Sequence, residues 1–482
     1  MSESAHYATA PADRIPFPLK LVYGFGAFVN NTLAAAIGGM IIVLNLGLGL
    51  SPALVGLLGA LPRLTDALTD PLMGYISDHT RSRWGRRRPY IFVGAIAAGI
   101  IYALLWQLPA DQSTAFYFTY FLVGSLIFYL AYTIYATPWV ALGYELTPDY
   151  HERTRLMGVQ NFIGNIAYMV SPYFLAIMYL PMFGDGEVNV VTGASYLAII
   201  IAVVVIGLGV LPAIFLRERF KDVAAGEAQA KAGEGIGHVV MDFLRGFGKT
   251  LKFKPFLKLC VATFLVFNGF ILIASFQPYV IIYYVFGGDQ AAGSVFVGHS
   301  GLVQAIAALG VIVLVTWLAT KVGKRKAFFF STGVSMVGYA LKWFCYTPDN
   351  PWLVLIPAPL MAFGLAGLFT LMPSMICDVV DVDELNTRER REGMYGSIFW
   401  WVVKLGQSVA IAGGGVLLVT TGFNVDFGGN QSPETITLMR LCDAFIPCIA
   451  SGIAIWTIAT YSITEEKAHD VRQQLEARRG AV

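Results

Sequence analysis

Twelve apolar segments, each long enough to cross a lipid bilayer as a helix, constrain this chain more than any other feature. About 20 apolar residues in an α-helix span the ~30 Å hydrocarbon core of a membrane. Such a segment must satisfy its backbone hydrogen bonds internally, as an α-helix does. Only 13% of the residues are charged, whereas a soluble domain carries about 25%. We therefore predict an all-α membrane protein with twelve transmembrane helices, at 20–48, 53–77, 89–108, 114–146, 155–181, 194–216, 256–286, 293–320, 327–346, 351–379, 394–421 and 436–462.

The chain also contains an internal repeat. The motif Trp84-Gly85-Arg86-Arg87-Arg88 follows the second segment, and Val322-Gly323-Lys324-Arg325-Lys326 follows the eighth, 238 residues later. The same offset aligns Arg153 with Arg391. We predict two pseudo-symmetric six-helix bundles, at 1–217 and 252–482, with a cytoplasmic tail after the second and a polar linker at 218–251 between them. Carriers built from repeats bind substrate near the bilayer midplane and work by alternating access.

The basic residues predict the orientation. All but four of the 33 lysines and arginines lie in the termini and loops on one side; the four are Arg63, Lys342, Lys404 and Arg440. The positive-inside rule then places both termini and the linker in the cytoplasm, with the chain in the cell (inner) membrane. The first 20 residues lack the pattern of a cleaved signal peptide. Lys342, near an outer helix end, is expected to snorkel to the interface.

Arg63, Asp66 and Asp70 lie near the middle of the second segment. A charged side chain at that depth costs about 2.5–3.5 kcal/mol on insertion scales unless it is paired or hydrated. Asp66 and Asp70 are four residues apart and share a helix face with Arg63. They could bind a small cation or a proton. A structural ion pair is the alternative, but it leaves one acid unexplained.

Lys404 is the other ionisable residue deep in a segment, about ten residues (~15 Å) from the cytoplasmic end of the eleventh. Asp66 and Asp70 lie at a similar depth. Arg63, Lys404 and the two aspartates form a set that is neutral when ionised, and one bound cation would make it +1. Lys404 and Arg63 are therefore candidate coupling residues, with a purely structural role as the alternative.

Charges of both signs cluster at the cytoplasmic ends of the segments. They could form a gate that closes and releases, although they could also be simple topology anchors. The candidate gate residues are Asp78, Arg83, Arg86, Arg88, Glu145, Arg153, Asp378, Asp381, Arg388 and Arg391.

The run from Asp66 to Pro89 resembles the signature of the glycoside–pentoside–hexuronide:cation symporters, a family of the major facilitator superfamily. It reads Asp66-Ala-Leu-Thr-Asp70-Pro71-x-x-Gly74-x-x-x-Asp78, then Thr80, Ser82-Arg83-x-Gly85-Arg86-x-Arg88-Pro89. Tyr132-Thr133 with Pro138, and Arg391-x-Gly393 through Lys404-x-Gly406, extend the resemblance. The resemblance implies the major facilitator fold over the whole chain, a cation site at Asp66 and Asp70 helped by Thr133, and coupling through Lys404.

The chain departs from the sugar-binding members of that family at three positions. Asn31, beside Asn30, stands where those members have an aspartate, Ala136 replaces a second aspartate, and an arginine is missing near Asn161. Charge-assisted hydrogen bonds to hydroxyls are roughly twice as strong as neutral ones, so a melibiose-like specificity is not expected. Amides and aromatic faces remain as candidate substrate residues, with helix–helix contacts or interfacial anchoring as the alternative: Asn30, Asn31, Asn161, Trp139, Trp400 and Trp401.

No catalytic constellation and no GxxxxGK[ST] phosphate loop is present in the sequence. We expect no enzyme activity, no cofactor, no metal beyond Na⁺ at Asp66 and Asp70, and no nucleic-acid partner. The expected function is secondary active symport of a sugar, such as a glycoside, with Na⁺ or H⁺. A cation-coupled carrier of a non-sugar amphipathic solute and a non-transporting membrane sensor are the alternatives, but a sensor has no need of the coupling charges.

Overall fold

The structure is a computed structural model that describes residues 11–80, 82–147, 150–183, 189–218, 250, 252–387 and 392–479. Long α-helices account for most of these residues, and no β-strand occurs among them. The long helices are α1 (Phe17–Met40), α2 (Pro52–His79), α3 (Arg88–Leu105), α4 (Thr114–Glu145), α5 (Tyr150–Val170), α6 (Val190–Gly209), α7 (Lys254–Val280), α8 (Gln290–Val322), α9 (Lys324–Cys345), α10 (Pro357–Thr387), α11 (Glu392–Thr420), α12 (Pro433–Ala459) and α13 (Glu465–Arg479).

Helices α1 to α12 correspond to the twelve predicted segments. Among the described residues, ten of them are long and apolar enough to cross a membrane by length and composition. The other two are α2, in which the apolar stretch among the described residues is Pro52–Thr65, and α9, which has lysine or arginine at both ends.

Proline accounts for one difference from the predicted boundaries. The fifth segment, expected at 155–181, is interrupted after Val170 by a 3₁₀ turn at Ser171–Tyr173 and resumes at Phe174–Met178. Pro172 lies in that turn, where it cannot donate the next helical hydrogen bond. Pro138 and Pro373, in contrast, remain inside α4 and α10.

The chain divides into two compact units, Met1–Val43 with Thr65–Gly235 and Leu44–Leu64 with Ile236–Val482. In the first unit α1 packs against α5 and α6, and α3 packs against α4 and α6. In the second, the same pairs recur six helices later, since α7 packs against α11 and α12, and α9 against α10 and α12. This recurrence agrees with the internal repeat in the sequence.

The segment 44–64 groups with the second unit, whereas the sequence places it within the bundle at 1–217. A close backbone approach accounts for the grouping. A Cβ added to Gly415 of α11 would lie 2.2 Å from the carbonyl oxygen of Pro52, and one added to Gly56 would lie 2.9 Å from that of Ile411. Only glycine permits these separations.

The second unit contains a buried ion pair that corrects one expectation. Lys342 of α9 lies 2.5 Å from Asp443 of α12, and the two side chains are only 1% and 2% exposed. Lys342 therefore does not snorkel to the interface as predicted, because a partner on another helix neutralises it inside the bundle. Arg440, one turn before Asp443, is held between the rings of Tyr284 and Trp343 at 4.1 and 4.5 Å.

Candidate cation and substrate site

Asp70 faces a set of threonine hydroxyls in the first unit. Thr133 donates to Asp70 Oδ1 at 3.1 Å, and the hydroxyl of Thr137 lies 3.5 Å from the same oxygen. Thr133 and Thr137 are four residues apart on α4, so they share the face that meets α2. Thr69 adds a third hydroxyl, 3.3 Å from that of Thr133. The arrangement is a group of hard oxygen atoms around a half-buried carboxylate, suited to a small cation.

The other charged residues predicted for this site are Arg63, Lys404 and Asp66. Arg63 is half-buried on α2, and Lys404 is half-buried on α11 in the second unit. The side chain of Asp66 lies outside the described part of the structure. The contribution of Asp66 to the site and the coupling roles of Arg63 and Lys404 therefore stay predictions.

The predicted substrate asparagines form a hydrogen-bonded chain across three helices of the first unit. Tyr132 of α4 donates to Asn30 Oδ1 at 3.0 Å, and the amide of Asn30 donates to Asn31 Oδ1 at 3.3 Å. Asn31 in turn donates to the carbonyl of Gly164 on α5 at 2.9 Å. Tyr132 is adjacent to Thr133, so one turn of α4 contacts both the asparagine pair and Asp70.

The predicted aromatic platforms have different surroundings. Trp139 is 1% exposed. Its ring stacks on Tyr23, with 5.0 Å between the ring centroids, and a Cβ on Gly26 would come within 2.1 Å of its indole nitrogen. In this structure Trp139 therefore has no open face for a sugar and acts as a packing residue.

The remaining candidates are more accessible. Trp400 is 52% exposed and stacks on Phe369 at 5.7 Å between centroids, nearly parallel to it. Trp401 is half-buried, and Asn161 is exposed on α5. Their roles in substrate binding stay predictions.

The basic loop before α3 forms ion pairs and hydrogen bonds within the first unit. Arg86 and Arg87 both contact Glu145 Oε1, at 2.5 and 2.7 Å, at the end of α4. The side chain of Arg88 donates to the carbonyls at 213 and 214, after α6, at 2.6 and 2.9 Å. Arg83 is exposed. Arg86 thus pairs with an acid at the end of α4, and Arg88 donates to backbone carbonyls after α6, where a C-terminal helix end favours a cation.

Glu218 binds the backbone of the same basic loop. Its carboxylate accepts the backbone N–H groups of Arg86, Arg87 and Arg88 at 2.8, 2.8 and 3.3 Å, at the N-terminus of α3. Three successive amides at a helix N-terminus form a site for an anion. Gly85 makes the approach possible, because it has φ = +116° and a Cβ there would lie 2.4 Å from Glu218 Oε1.

Glu152, in the first turn of α5, forms a second buried cluster. It is 1% exposed and contacts Lys20 at 2.6 Å and Arg155 at 3.2 Å, while the amide of Ile15 donates to it at 2.9 Å. Burial alone raises the pKa of this carboxyl, but the hydrogen bonds outweigh burial, and the net pKa of Glu152 is lowered.

The second unit has a corresponding arrangement. Lys324, at the start of α9, lies 2.8 Å from Asp378 of α10. Gly323, which aligns with Gly85, has φ = +84°, and a Cβ there would lie 2.7 Å from Glu465 Oε2. Asp381 is half-buried on α10. The side chains of Asp78 and Arg153, and the whole of Arg388 and Arg391, lie outside the described residues, so their gate roles stay predictions.

Several of these residues were not singled out from the sequence. Thr69 and Thr137 give no signal of their own, because threonine is common in apolar helices. Glu218 and Glu465 could have been found as acids that follow the last transmembrane helix of each unit. Asp443 could have been found as an acid within an apolar segment, the signal that singled out Asp70.

Comparisons with known proteins agree with this architecture. Residues 22–465 match the family described as MFS/sugar transport protein. The chain is 28% identical to an uncharacterised symporter of Synechocystis sp., covering 97% of this chain and 98% of that protein. It is 24% identical to the isoprimeverose transporter of Lactiplantibacillus pentosus, covering 96% and 93%. The crystal structure of a bacterial homologue of the human lysosomal transporter Spinster superposes with a TM-score of 0.65 at 14% identity, covering 95% and 96%, which shows a shared fold.

Proposed function

The chain belongs to the MFS/sugar transport protein family of multi-pass membrane carriers, and from that premise we propose that it is a secondary active symporter. It imports a sugar, such as a glycoside, or a related small solute together with Na⁺ or H⁺ by alternating access. The similar proteins from Synechocystis and Lactiplantibacillus, a symporter and a sugar transporter, support this proposal. It is a carrier and not an enzyme, as the family is.

One observation carries the coupling part of the proposal. Asp70 is an ionisable residue on a transmembrane helix, and the hydroxyls of Thr133 and Thr137 face it from α4. Intramembrane carboxylates are rare because they cost free energy, and those present commonly mark an ion pathway. We assign Asp66, Asp70 and Thr133 to the coupling cation.

Charge balance suggests how the cation could favour a conformational change. Arg63, Asp66, Asp70 and Lys404 sum to zero when all are ionised. Binding one Na⁺, or protonating one aspartate, changes the sum to +1 and weakens the attraction of the acids for Lys404 and Arg63. In this proposal Lys404 and Arg63 couple cation binding to transport.

The solute is proposed to bind near Asn30 and Asn31. Their hydrogen bonds to Tyr132 and Gly164 hold neutral amides where the sugar-binding relatives have a carboxylate. Neutral amides and the exposed ring of Trp400 also suit a non-sugar amphipathic solute, which is the second candidate on the same fold.

The membrane placement follows from the charge distribution. We propose that the chain lies in the cell (inner) membrane with both termini in the cytoplasm, because nearly all lysines and arginines lie on the side of the termini. Cysteine accessibility to an impermeant reagent, at single cysteines placed near residues 15 and 470, tests this orientation. Labelling from outside intact cells would contradict it.

Uptake by the purified chain in proteoliposomes tests the function. A panel of labelled mono- and disaccharides is offered under an imposed Na⁺ gradient and, separately, under an imposed H⁺ gradient. We expect accumulation of at least one sugar above its external concentration under one gradient, and collapse of that accumulation when the gradient is dissipated. Equilibration without accumulation under either gradient would contradict symport.

A further inference from the structure

Arg440 is a cation that the proposed transport mechanism leaves unexplained. It is one of the four basic residues that the sequence places away from the side of the termini. Of the others, Arg63 and Lys404 belong to the proposed coupling set, and Lys342 is neutralised by Asp443. Within the described part of the chain, Arg440 forms no ion pair with an acid. Because the positive-inside rule disfavours a basic residue on this side, Arg440 requires an explanation of its own.

Three helix ends of the second unit meet at Arg440. Helix α12 begins at Pro433, so Arg440 lies only ~10 Å inside that end. Trp343 is in the last turn of α9, and Tyr284 lies in the π-helical turn Ile281–Val285 that follows α7. Tryptophan and tyrosine are enriched at the level of the lipid headgroups. The two rings therefore place Arg440 close to the surface of the bilayer, at the end of α12 that is opposite to α13.

The guanidinium group of Arg440 is held in a fixed position. Its central carbon lies 4.1 Å from the centre of the Tyr284 ring and 4.5 Å from that of the Trp343 ring. Nη2 donates to the carbonyl of Trp343 at 2.7 Å. Nε is enclosed without a hydrogen-bond partner, whereas Nη1 has no partner among the described residues and is not enclosed. Cation–π contacts orient the group without neutralising it, so a positioned cation keeps an accessible N–H group.

The local charge is positive. Asp443, one turn after Arg440, is the acid nearest to it along α12, and its carboxylate already lies 2.5 Å from Lys342. Lys342, Asp443 and Arg440 together carry a net charge of +1. A positive charge that no protein group balances attracts an anion, and its attraction is strong where little water screens it.

The surface beside Arg440 is apolar. Exposed side chains follow one another at i, i+4 spacing along α12, from Leu441 through Phe445 and Ile449 to Ile453. Phe445 also contacts the ring of Trp343, with 5.8 Å between the ring centroids. In a membrane carrier this face is covered by the acyl chains of lipids. An anion that already lies beside such chains is the phosphate group of a phospholipid.

We infer that Arg440, held by Tyr284 and Trp343, binds the phosphate of an anionic phospholipid from the surrounding bilayer. One acyl chain of that lipid lies along the apolar stripe that starts at Leu441. A guanidinium suits this ligand because its planar fork can donate two hydrogen bonds to one phosphate. A lipid with a net negative charge is favoured over a zwitterionic one, since it balances the charge of +1 and no unpaired acid stands beside Arg440 to receive a choline group. This site is independent of the coupling ion and of the transported solute.

Lipid-dependent thermal unfolding tests the inference. A ligand that binds only the folded state raises its thermal midpoint. The detergent-solubilised full-length chain is titrated with phosphatidylglycerol or with phosphatidylcholine of the same acyl chains. Hydrogen bonds to charged groups are strong, so we expect phosphatidylglycerol to reach half of its effect at a concentration at least about tenfold lower than phosphatidylcholine.

Substitutions at Arg440 separate a built site from general attraction. Arg440→Gln should remove the preference for phosphatidylglycerol, and Arg440→Lys should keep only part of it, because an ammonium group lacks the planar fork. Tyr284→Leu keeps the charge but removes one of the rings that orient it, so it should also weaken the preference. Lys321→Gln is the matched control: it removes one exposed positive charge from the last turn of α8 and should leave the preference unchanged.

Soluble phosphates distinguish a lipid site from a site for any phosphate. Inorganic phosphate and glycerol 3-phosphate, added without lipid at the same concentrations, should not raise the midpoint of the parent chain. If either one reproduces the effect of phosphatidylglycerol, the site binds a soluble anion and the lipid assignment is wrong. Equal effects of the two lipids on the parent chain, or an unaltered preference in Arg440→Gln, would also overturn the inference. If Arg440→Gln does not fold, an unaltered preference in both Arg440→Lys and Tyr284→Leu has the same consequence.

Discussion

The ion pair between Lys342 and Asp443 gives a sharp prediction about stability. Both groups are almost fully buried and lie 2.5 Å apart, on α9 and α12. Replacing Asp443 with Leu leaves an uncompensated ammonium group in the interior. Removing one partner of a buried pair typically costs about 3–5 kcal/mol, because the remaining charge keeps its desolvation penalty.

The double substitution should behave differently. Lys342→Met with Asp443→Leu removes both charges and fills similar volumes with apolar atoms, and such replacements are often neutral or stabilising. We therefore expect strongly non-additive effects: the two single losses together amount to roughly 6–10 kcal/mol, and the double substitution should recover most of that sum in a double-mutant cycle.

Thermal unfolding of the detergent-solubilised chain is the assay. A change of 1 kcal/mol shifts the midpoint by about 2–4 °C for a domain of 150–250 residues, so each single variant should lose roughly 6–20 °C and the double variant should recover most of the loss. Arg155→Met is the control: its pair with Glu152 involves an arginine side chain that is 58% exposed, and exposed pairs contribute about 0–1 kcal/mol. Additive losses, or a harmless Asp443→Leu, would refute the reasoning.

Two further predictions concern the clusters around Gly85 and Glu152 in the first unit. Gly85→Ala should destabilise the chain by about 1–3 kcal/mol, because φ is +116° and the new Cβ would lie 2.4 Å from Glu218. Gly158→Ala is the control, since open space surrounds the Cβ position there, and it should not lower the thermal midpoint. Equal effects of the two substitutions on the midpoint would contradict this prediction. Glu152 has a lowered pKa because its hydrogen bonds outweigh burial, so its stabilisation is complete above the ordinary glutamate pKa of about 4.3 and is lost as the pH falls through the lowered folded value. Midpoints measured from pH 7 to pH 3 should therefore fall less steeply in Glu152→Gln than in the parent chain, and parallel curves would exclude this role.

The helices and their order could be predicted from the sequence, because each transmembrane helix is specified locally by length and hydropathy. The interruption after Val170 was not predicted. Pro172 is visible in the sequence, but Pro138 and Pro373 remain inside helices, so a proline alone does not mark a break. Whether proline ends a helix depends on whether neighbouring groups satisfy the freed carbonyl, and the local sequence does not contain that information.

The candidate site could be predicted only in part. Asp70 stood out because a charge in an apolar segment is costly, and Thr133 entered through the family resemblance. Thr137 and Thr69 were missed because their importance comes from the packing of α4 against α2. Lys342 was misinterpreted for the same reason, since its partner Asp443 lies about 100 residues further along the chain.

Gradient-driven accumulation by Asp70→Asn tests the central claim, that a cation bound at Asp70 powers solute transport. Asparagine keeps the size of the side chain but removes the charge that holds a cation or proton. We expect the variant to insert and to bind or exchange an accepted sugar, yet to lose accumulation under both Na⁺ and H⁺ gradients. Accumulation equal to that of the parent chain would contradict the claim.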